Sequence, residues 1–170
     1  MEIIRPEEKY FLEYYQACKE SHENQVTEWM PFELDHFDTW KANILDAYAR
    51  YEEGRDLPAG LPRTVTRWGV EGDTFIGELQ VRPYLTEEEA KTWGHVAYAV
   101  RHSQWRKGYG TKLLQAALEL LRQYQVHNIY LVCHAENQAS IHVAQACGAS
   151  LSGTIQDEDG LKQLIYLFQE

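Results

Sequence analysis

The residues best suited to chemistry form one run, Arg101-His102-Ser103-Gln104-Trp105-Arg106-Lys107-Gly108-Tyr109-Gly110-Thr111-Lys112-Leu113-Leu114. The run carries four cations and no carboxylate, in a chain whose formal charge is -10. It follows the apolar stretch Gly94-His95-Val96-Ala97-Tyr98-Ala99-Val100 and leads into an amphipathic segment, with two glycines where a helix should begin. A strand, a basic glycine-containing turn and a helix start together make a phosphate cradle. Unsatisfied backbone N–H groups and the positive end of the helix dipole converge there. Glycine lets a ligand approach the backbone without steric cost. A Walker loop is excluded, because no Gly-Lys pair is present. A dinucleotide fingerprint is excluded too, because Leu113 stands where its third glycine belongs. The plain alternative is a basic turn capping a surface helix.

Acid–base candidates lie upstream. Strand alternation puts Ile76, Glu78, Gln80 and Arg82 on one face and Phe75, Gly77, Leu79 and Val81 on the other. Glu78 is then a candidate base, unless it is an ion-pair partner of Arg82 or part of a solvated strand face. His95 and Tyr98 are reserves, with a wet-face histidine and a core tyrosine as the alternatives. His134 and His142 lie eight residues apart without a Cys or carboxylate set beside them, so no metal site is expected. Cys18, Cys133 and Cys147 are odd in number and widely spaced, which suits reduced thiols and a cytoplasmic protein.

The elements that must position these residues follow from periodicity. A short edge strand is expected over 2–6. A helix is expected over 8–23, with Phe11, Leu12, Tyr15 and Cys18 near 3.6 spacing. Pro31 breaks any continuation. Asp38 can cap a second helix that buries Trp40, Ile44, Ala47, Tyr48 and Tyr51. Strands are expected over 64–70, 75–84 and 94–101, the first two joined by the turn Glu71-Gly72-Asp73-Thr74. The helix over 109–125 gathers Leu113, Leu114, Ala117, Leu118, Leu121 and Tyr124 on one face. A near-continuous apolar strand follows over 128–133. Glu136 or Asn137 opens another helix that ends before Gly148. A hairpin over 150–156 and 161–168 closes the chain.

Composition narrows the class. The chain's 170 residues suit one domain with a proper core. An excess of 26 acids over 16 bases argues against nucleic acid as a bulk partner. No apolar run is long enough for a membrane span, and the first residues lack a signal-peptide layout. Residues 1–60 hold 14 acids and 6 bases, so most of the negative charge is there. It is either solvated helix surface or an acidic approach that attracts an ammonium-bearing acceptor.

The segment Trp105-Arg106-Lys107-Gly108-Tyr109-Gly110 resembles the [QR]-x-x-G-x-[GA] motif of the GCN5-related N-acetyltransferases, with Trp105 in place of the usual Gln or Arg. The element order and the stretches Ile76-Gly77-Glu78-Leu79-Gln80-Val81-Arg82 and Glu136-Asn137-Gln138-Ala139-Ser140 extend the resemblance over nearly the whole chain, toward one bacterial subgroup of acetyltransferases. The resemblance implies an α/β GNAT fold, a mixed sheet of about seven strands flanked by four helices, in a single domain over 1–170. It implies an N-acetyltransferase that moves the acetyl group of acetyl-CoA directly to an amine, a small molecule or a peptide. An acyl-CoA-binding module without turnover, or a transferase of another acyl group, is the alternative. A homodimer is allowed. By the same resemblance, Ala99 and Val100 pair with pantetheine, and the pyrophosphate rests on Arg106, Lys107, Gly108, Tyr109, Gly110 and Thr111. Asn137 and Ser140 touch the pantetheine arm, unless Asn137 is only an N-cap. Glu78 is the expected base and Tyr98 its reserve. Many members also carry a tyrosine acid four residues before the glycine after the second cofactor helix. Ala144 stands there.

Overall fold

A computed structural model describes residues 1–26 and 37–169, and only the backbone of 37–40 and 42. Pro31 lies outside the described residues, as do the side chains of Asp38 and Trp40.

Among the described residues, seven strands form one sheet in the order β1-β2-β3-β4-β5-β7-β6. The strands are β1 (Glu2–Ile4), β2 (Val65–Glu71), β3 (Thr74–Val81), β4 (Val96–Val100), β5 (Ile129–His134), β6 (Ser150–Gln156) and β7 (Lys162–Phe168). Among the described residues, five α-helices accompany them: α1 (Phe11–Glu23), α2 (Phe37–Glu53), α3 (Glu87–Trp93), α4 (Tyr109–Gln123) and α5 (Gln138–Ala146). Short 3-10 turns at Glu8–Tyr10 and His102–Gln104 precede α1 and follow β4.

The apolar stripe of α4 explains one layer. Leu113, Leu114, Ala117, Leu118 and Leu121 are buried against Leu79, Val81, Val96 and Leu131 of the sheet. Each buried leucine contributes about 1.5–3 kcal/mol of transfer free energy. The opposite face is covered by α1 and α2, through Phe11, Tyr14, Ile44 and Tyr48 around Trp68 and Phe75. Leu12 belongs to neither core. It is 60% exposed, and the buried stripe of α1 runs through Phe11, Tyr14, Ala17, Cys18 and Ser21 instead.

A β-bulge corrects the alternation expected for β3. Gly69 pairs with Gly77, but Val70 pairs with Phe75, so β3 carries one extra residue at Ile76. Phe75 is thereby turned onto the face of Glu78, where its ring packs 5.3 Å from Trp68. Gly77 is required by close approach: a Cβ there would lie 2.4 Å from the Ala99 carbonyl oxygen.

Helix α3 (Glu87–Trp93) lies between the strand expected to end at 84 and the one expected to begin at 94. Thr86 caps it: Glu89 N–H donates to Thr86 Oγ1, and Thr86 N–H donates to Glu89 Oε2. Ala90 packs on Tyr130 and Ile165.

One junction positions the site. The β4–β5 pair is parallel and registers only at Val96 with Leu131. The other edge of β5 is held by β7 over six residue pairs, from Ile129 to His134. Strand β5 therefore follows β7, and the sheet opens between β4 and β5 toward their C-terminal ends.

Candidate active site

The open edge belongs to β4. In the β3–β4 ladder Arg82 N–H bonds the His95 carbonyl and Arg101 N–H bonds the Ile76 carbonyl. The two-residue repeat then assigns the backbone groups of Ala97 and Ala99 to β3. Tyr98 and Val100 turn theirs toward β5, which has moved away. Of the two expected pantetheine partners, only Val100 turns its backbone toward the gap, and only its N–H is left free there. Ala99 contributes its methyl to the gap's lining. Trp105 Nε1 donates to the Val100 carbonyl at 2.8 Å, so the indole secures the turn after β4. That is a task for Trp105 that the motif alone did not reveal.

At the wide end of the gap the chain turns into α4. Arg106 (φ 61) and Gly108 (φ 79) are both left-handed. This alternation points successive N–H groups in a common direction, the geometry of an anion nest. Among the described residues, the N–H groups of Lys107, Gly108, Tyr109, Gly110 and Thr111 have no protein acceptor. Gly108 is the N-cap of α4 and offers no side chain to that helix end. A Cβ on Gly108 would meet no atom within 4 Å, so the space over it is open. Gly110 differs: a Cβ there would sit 3.3 Å from Val143 and 3.6 Å from the Tyr98 ring.

The cations of the run separate into two kinds. Arg101 is buried and bonded to Glu13 (2.6 Å) and Glu20 (2.7 Å) of α1. It anchors the loop to α1 and is spent. Arg106 and Lys107 are exposed, and Lys107 Nζ donates to Gln104 Oε1 at 2.9 Å.

Glu78 is 3% exposed. Its Oε2 accepts from Tyr48 Oη (2.8 Å) and Trp68 Nε1 (2.9 Å), and its Oε1 accepts from Gln80 Nε2 (2.8 Å). Burial pushes this carboxyl above the usual range, and these donors oppose the shift. The expected alternative, an ion pair with Arg82, is absent. Glu78 lines a cavity of about 450 Å³ that passes through the β4–β5 gap, together with Tyr98, Ala99, Asn137 and Ser140.

Tyr98 reaches this cavity from the α4–α5 side. Its Oη is buried without a hydrogen-bond partner. Burial raises the phenol to about 12, and nearby Ser140 pulls the other way without reaching bonding geometry. Asn137 Oδ1 accepts from Ser140 N–H at 3.0 Å, so Asn137 does act as N-cap of α5. Ala144 is fully buried in α5. His95 is not on a wet face. It is 4% exposed, and its Nδ1 accepts from Tyr130 N–H at 3.1 Å while its N–H bonds the Tyr130 carbonyl at 2.7 Å. Burial, with Arg82 nearby, depresses this imidazole to about 4. His95 thus ties β4 to β5 at the closed end of the gap.

The arrangement offers an unpaired strand edge, a buried carboxyl and an orphaned phenol along one cavity, with an anion nest in the turn between β4 and α4. These donors match a long ligand with a phosphate at one end and a polar reacting group at the other. No group of three or more potential metal ligands occurs among the described residues. No helix there is long and apolar enough to cross a membrane.

A family model described as an acetyltransferase (GNAT) domain matches residues 3–150. No curated protein matches by sequence. Solved structures of the same fold include a ribosomal-protein-alanine N-acetyltransferase from Brucella melitensis, with TM-score 0.66, 18% identity and 100% of both chains covered. A microcin C7 self-immunity acetyltransferase, solved with acetyl-CoA and AMP, has TM-score 0.72 and 17% identity over 99% of this chain and 91% of that one. A spermidine N-acetyltransferase from Vibrio cholerae has TM-score 0.64 and 13% identity over 99% and 95%. At these identities the structural likenesses speak to fold.

Proposed function

The chain belongs to the GNAT acetyltransferase family, and from that premise we propose that it transfers the acetyl group of acetyl-CoA directly to an amine. Acetyl-CoA is the family's donor. The pyrophosphate rests on the N–H groups of residues 107–111, with Arg106 and Lys107 adding charge. Pantetheine runs along the open edge of β4 at Tyr98 and Val100, with Asn137 and Ser140 beside it. The amine nitrogen attacks the acetyl carbonyl carbon. Its proton passes to Glu78, whose raised pKa makes it a better base than an exposed carboxylate. N–H groups of the β4 edge stabilise the oxyanion. The C–S bond then breaks, and Tyr98 Oη, buried without a partner, donates to the departing sulfur.

One observation carries this reading: a run of unsatisfied N–H groups stands at the wide end of a gap that Glu78 lines. Two departures, Trp105 and Ala144, favour a second reading, an acyl-CoA-binding module without turnover. The acceptor is not fixed by the fold, since one structural relative is named for a ribosomal-protein alanine and another for spermidine.

The cofactor half is tested at Gly108. Replacing Gly108 by Val places a branched side chain in the nest and strains a left-handed residue by roughly 1–2 kcal/mol. Calorimetric titration should show acetyl-CoA binding weakened at least about tenfold with the fold retained. Near-unchanged affinity removes the phosphate from this loop. Gly110→Val is a poorer test, because it also disturbs α4–α5 packing.

A further inference from the structure

The acceptor side of the cavity holds a cation without a counter-charge. On the side covered by α1, α2 and α3 the lining includes Glu78, Gln80, Arg82, Trp93, Val132 and Gln163. Arg82 follows the last residue of β3 and is partly buried. Its side chain makes one bond, from Nη1 to the Gly94 carbonyl at a long 3.3 Å. No ion pair reaches it among the described residues. Other arginines of low exposure are engaged: Arg63 donates to the Glu52 carbonyl at 2.6 Å and stacks over the Tyr84 ring. Arg67 is paired with Glu52 at 3.0 Å, and Arg101 with Glu13 and Glu20.

A guanidinium withdrawn from water without an anion is costly. Consistently, burial holds the Arg82 guanidinium below its ordinary pKa. One weak bond to a carbonyl uses one of five donors. The remaining fork matches a carboxylate or phosphate, and it lies in the same cavity as the proposed base.

We propose that Arg82 is an anion subsite for the acceptor, which carries a carboxylate or phosphate oxyanion at the end remote from its amine. The proposal rests on the transferase reading only for placing the amine beside Glu78. Glu78 and Arg82 are four residues apart along an extended strand, so their Cα atoms lie roughly 13 Å apart. An α-amino acid, with both groups on one carbon, is too short to reach both. The acceptor is an elongated zwitterion, such as an ω-amino carboxylate, a peptide or an aminoalkyl phosphate.

The test uses four matched probes of about eight carbons, chosen for that span: an ω-amino carboxylate, an ω-aminoalkyl phosphate, an ω-amino alcohol and an α,ω-diamine. Binding of each to the CoA-saturated full chain is measured by calorimetry, and kcat/KM is measured with acetyl-CoA. The wild type should bind the anionic probes about 10–100-fold more tightly than the alcohol, the range expected for hydrogen bonds to a charged group. The ratio of carboxylate to phosphate affinity identifies which oxyanion fits. Arg82→Gln should bring the anion-to-alcohol ratio close to one, and Arg82→Lys should restore part of it. No preference in the wild type, or an undiminished preference in a folded Arg82→Gln, overturns the proposal. Because binding is read without turnover, Arg82-dependent capture of anionic probes with no acetylation upholds the subsite and contradicts the transferase reading alone.

Discussion

A buried hydroxyl without a partner costs about 1–3 kcal/mol, and Tyr98 carries one inside the cavity. If it exists to protonate the departing thiolate, stability and activity should move in opposite directions in Tyr98→Phe. The variant should melt a few degrees higher, since about 1 kcal/mol shifts a domain of this size by roughly 2–4 °C. Its kcat should fall about tenfold with acetyl-CoA affinity little changed. An unchanged kcat assigns proton delivery to water, which a thiolate tolerates. A pH profile would not separate these cases, because burial raises the phenol to about 12 and keeps it protonated through the assay range. From the sequence, Glu78 and Tyr98 are readable as a carboxyl and a phenol on neighbouring strands. The sequence does not show their partners. Trp68 is the partner of Glu78 across the β2–β3 hairpin, but Tyr48 comes from α2, thirty residues away in sequence. Chain spacing carries no signal for such a contact.

At the scale of elements, the loop before α4 was legible because glycine and cation spacing is local chemistry. The division of labour among its cations was not, since Arg101 is claimed by Glu13 and Glu20 across more than eighty residues. Helix α3 was missed because its seven residues are too few for apolar periodicity, although Thr86-Glu87-Glu88-Glu89 spells a capping box. The facing of Phe75 was misread because a bulge breaks the two-residue repeat. The β4–β5 junction gives a pH prediction. His95 is neutral in the fold with its pKa depressed to about 4, and an unfolded histidine titrates near 6.5. Between those values the unfolded chain binds a proton that the folded chain refuses. The stabilisation is therefore fully present above about pH 6.5 and is lost as pH falls toward 4. Urea unfolding at pH 7.5 and 4.5 should show wild type losing roughly 2–3 kcal/mol more than His95→Asn, whose amide oxygen can still accept from Tyr130. Equal losses would mean that His95 is not held neutral.

For the molecule as a whole, the antiparallel pairing of β5 with β7 and the single registered pair between β4 and β5 make one gap. On the proposed function, the donor enters from the wide end under α4 and α5, and the acceptor from the face covered by α1, α2 and α3, to which the acidic first sixty residues contribute. An acidic approach favours an ammonium-bearing acceptor in the first encounter, and the charge on Arg82 then sorts among amines. The central claim is that Glu78 removes the acceptor's proton in a direct transfer from acetyl-CoA. The most direct test follows thiol release from acetyl-CoA at neutral pH, across peptides, polyamines and amino carboxylates, for wild type and Glu78→Gln. The account predicts amine-dependent release by wild type, and a loss of about 10²–10⁴-fold in the variant that shrinks as pH rises, with acetyl-CoA affinity retained. Tight acetyl-CoA binding without release on any amine, or full activity in Glu78→Gln, would contradict it.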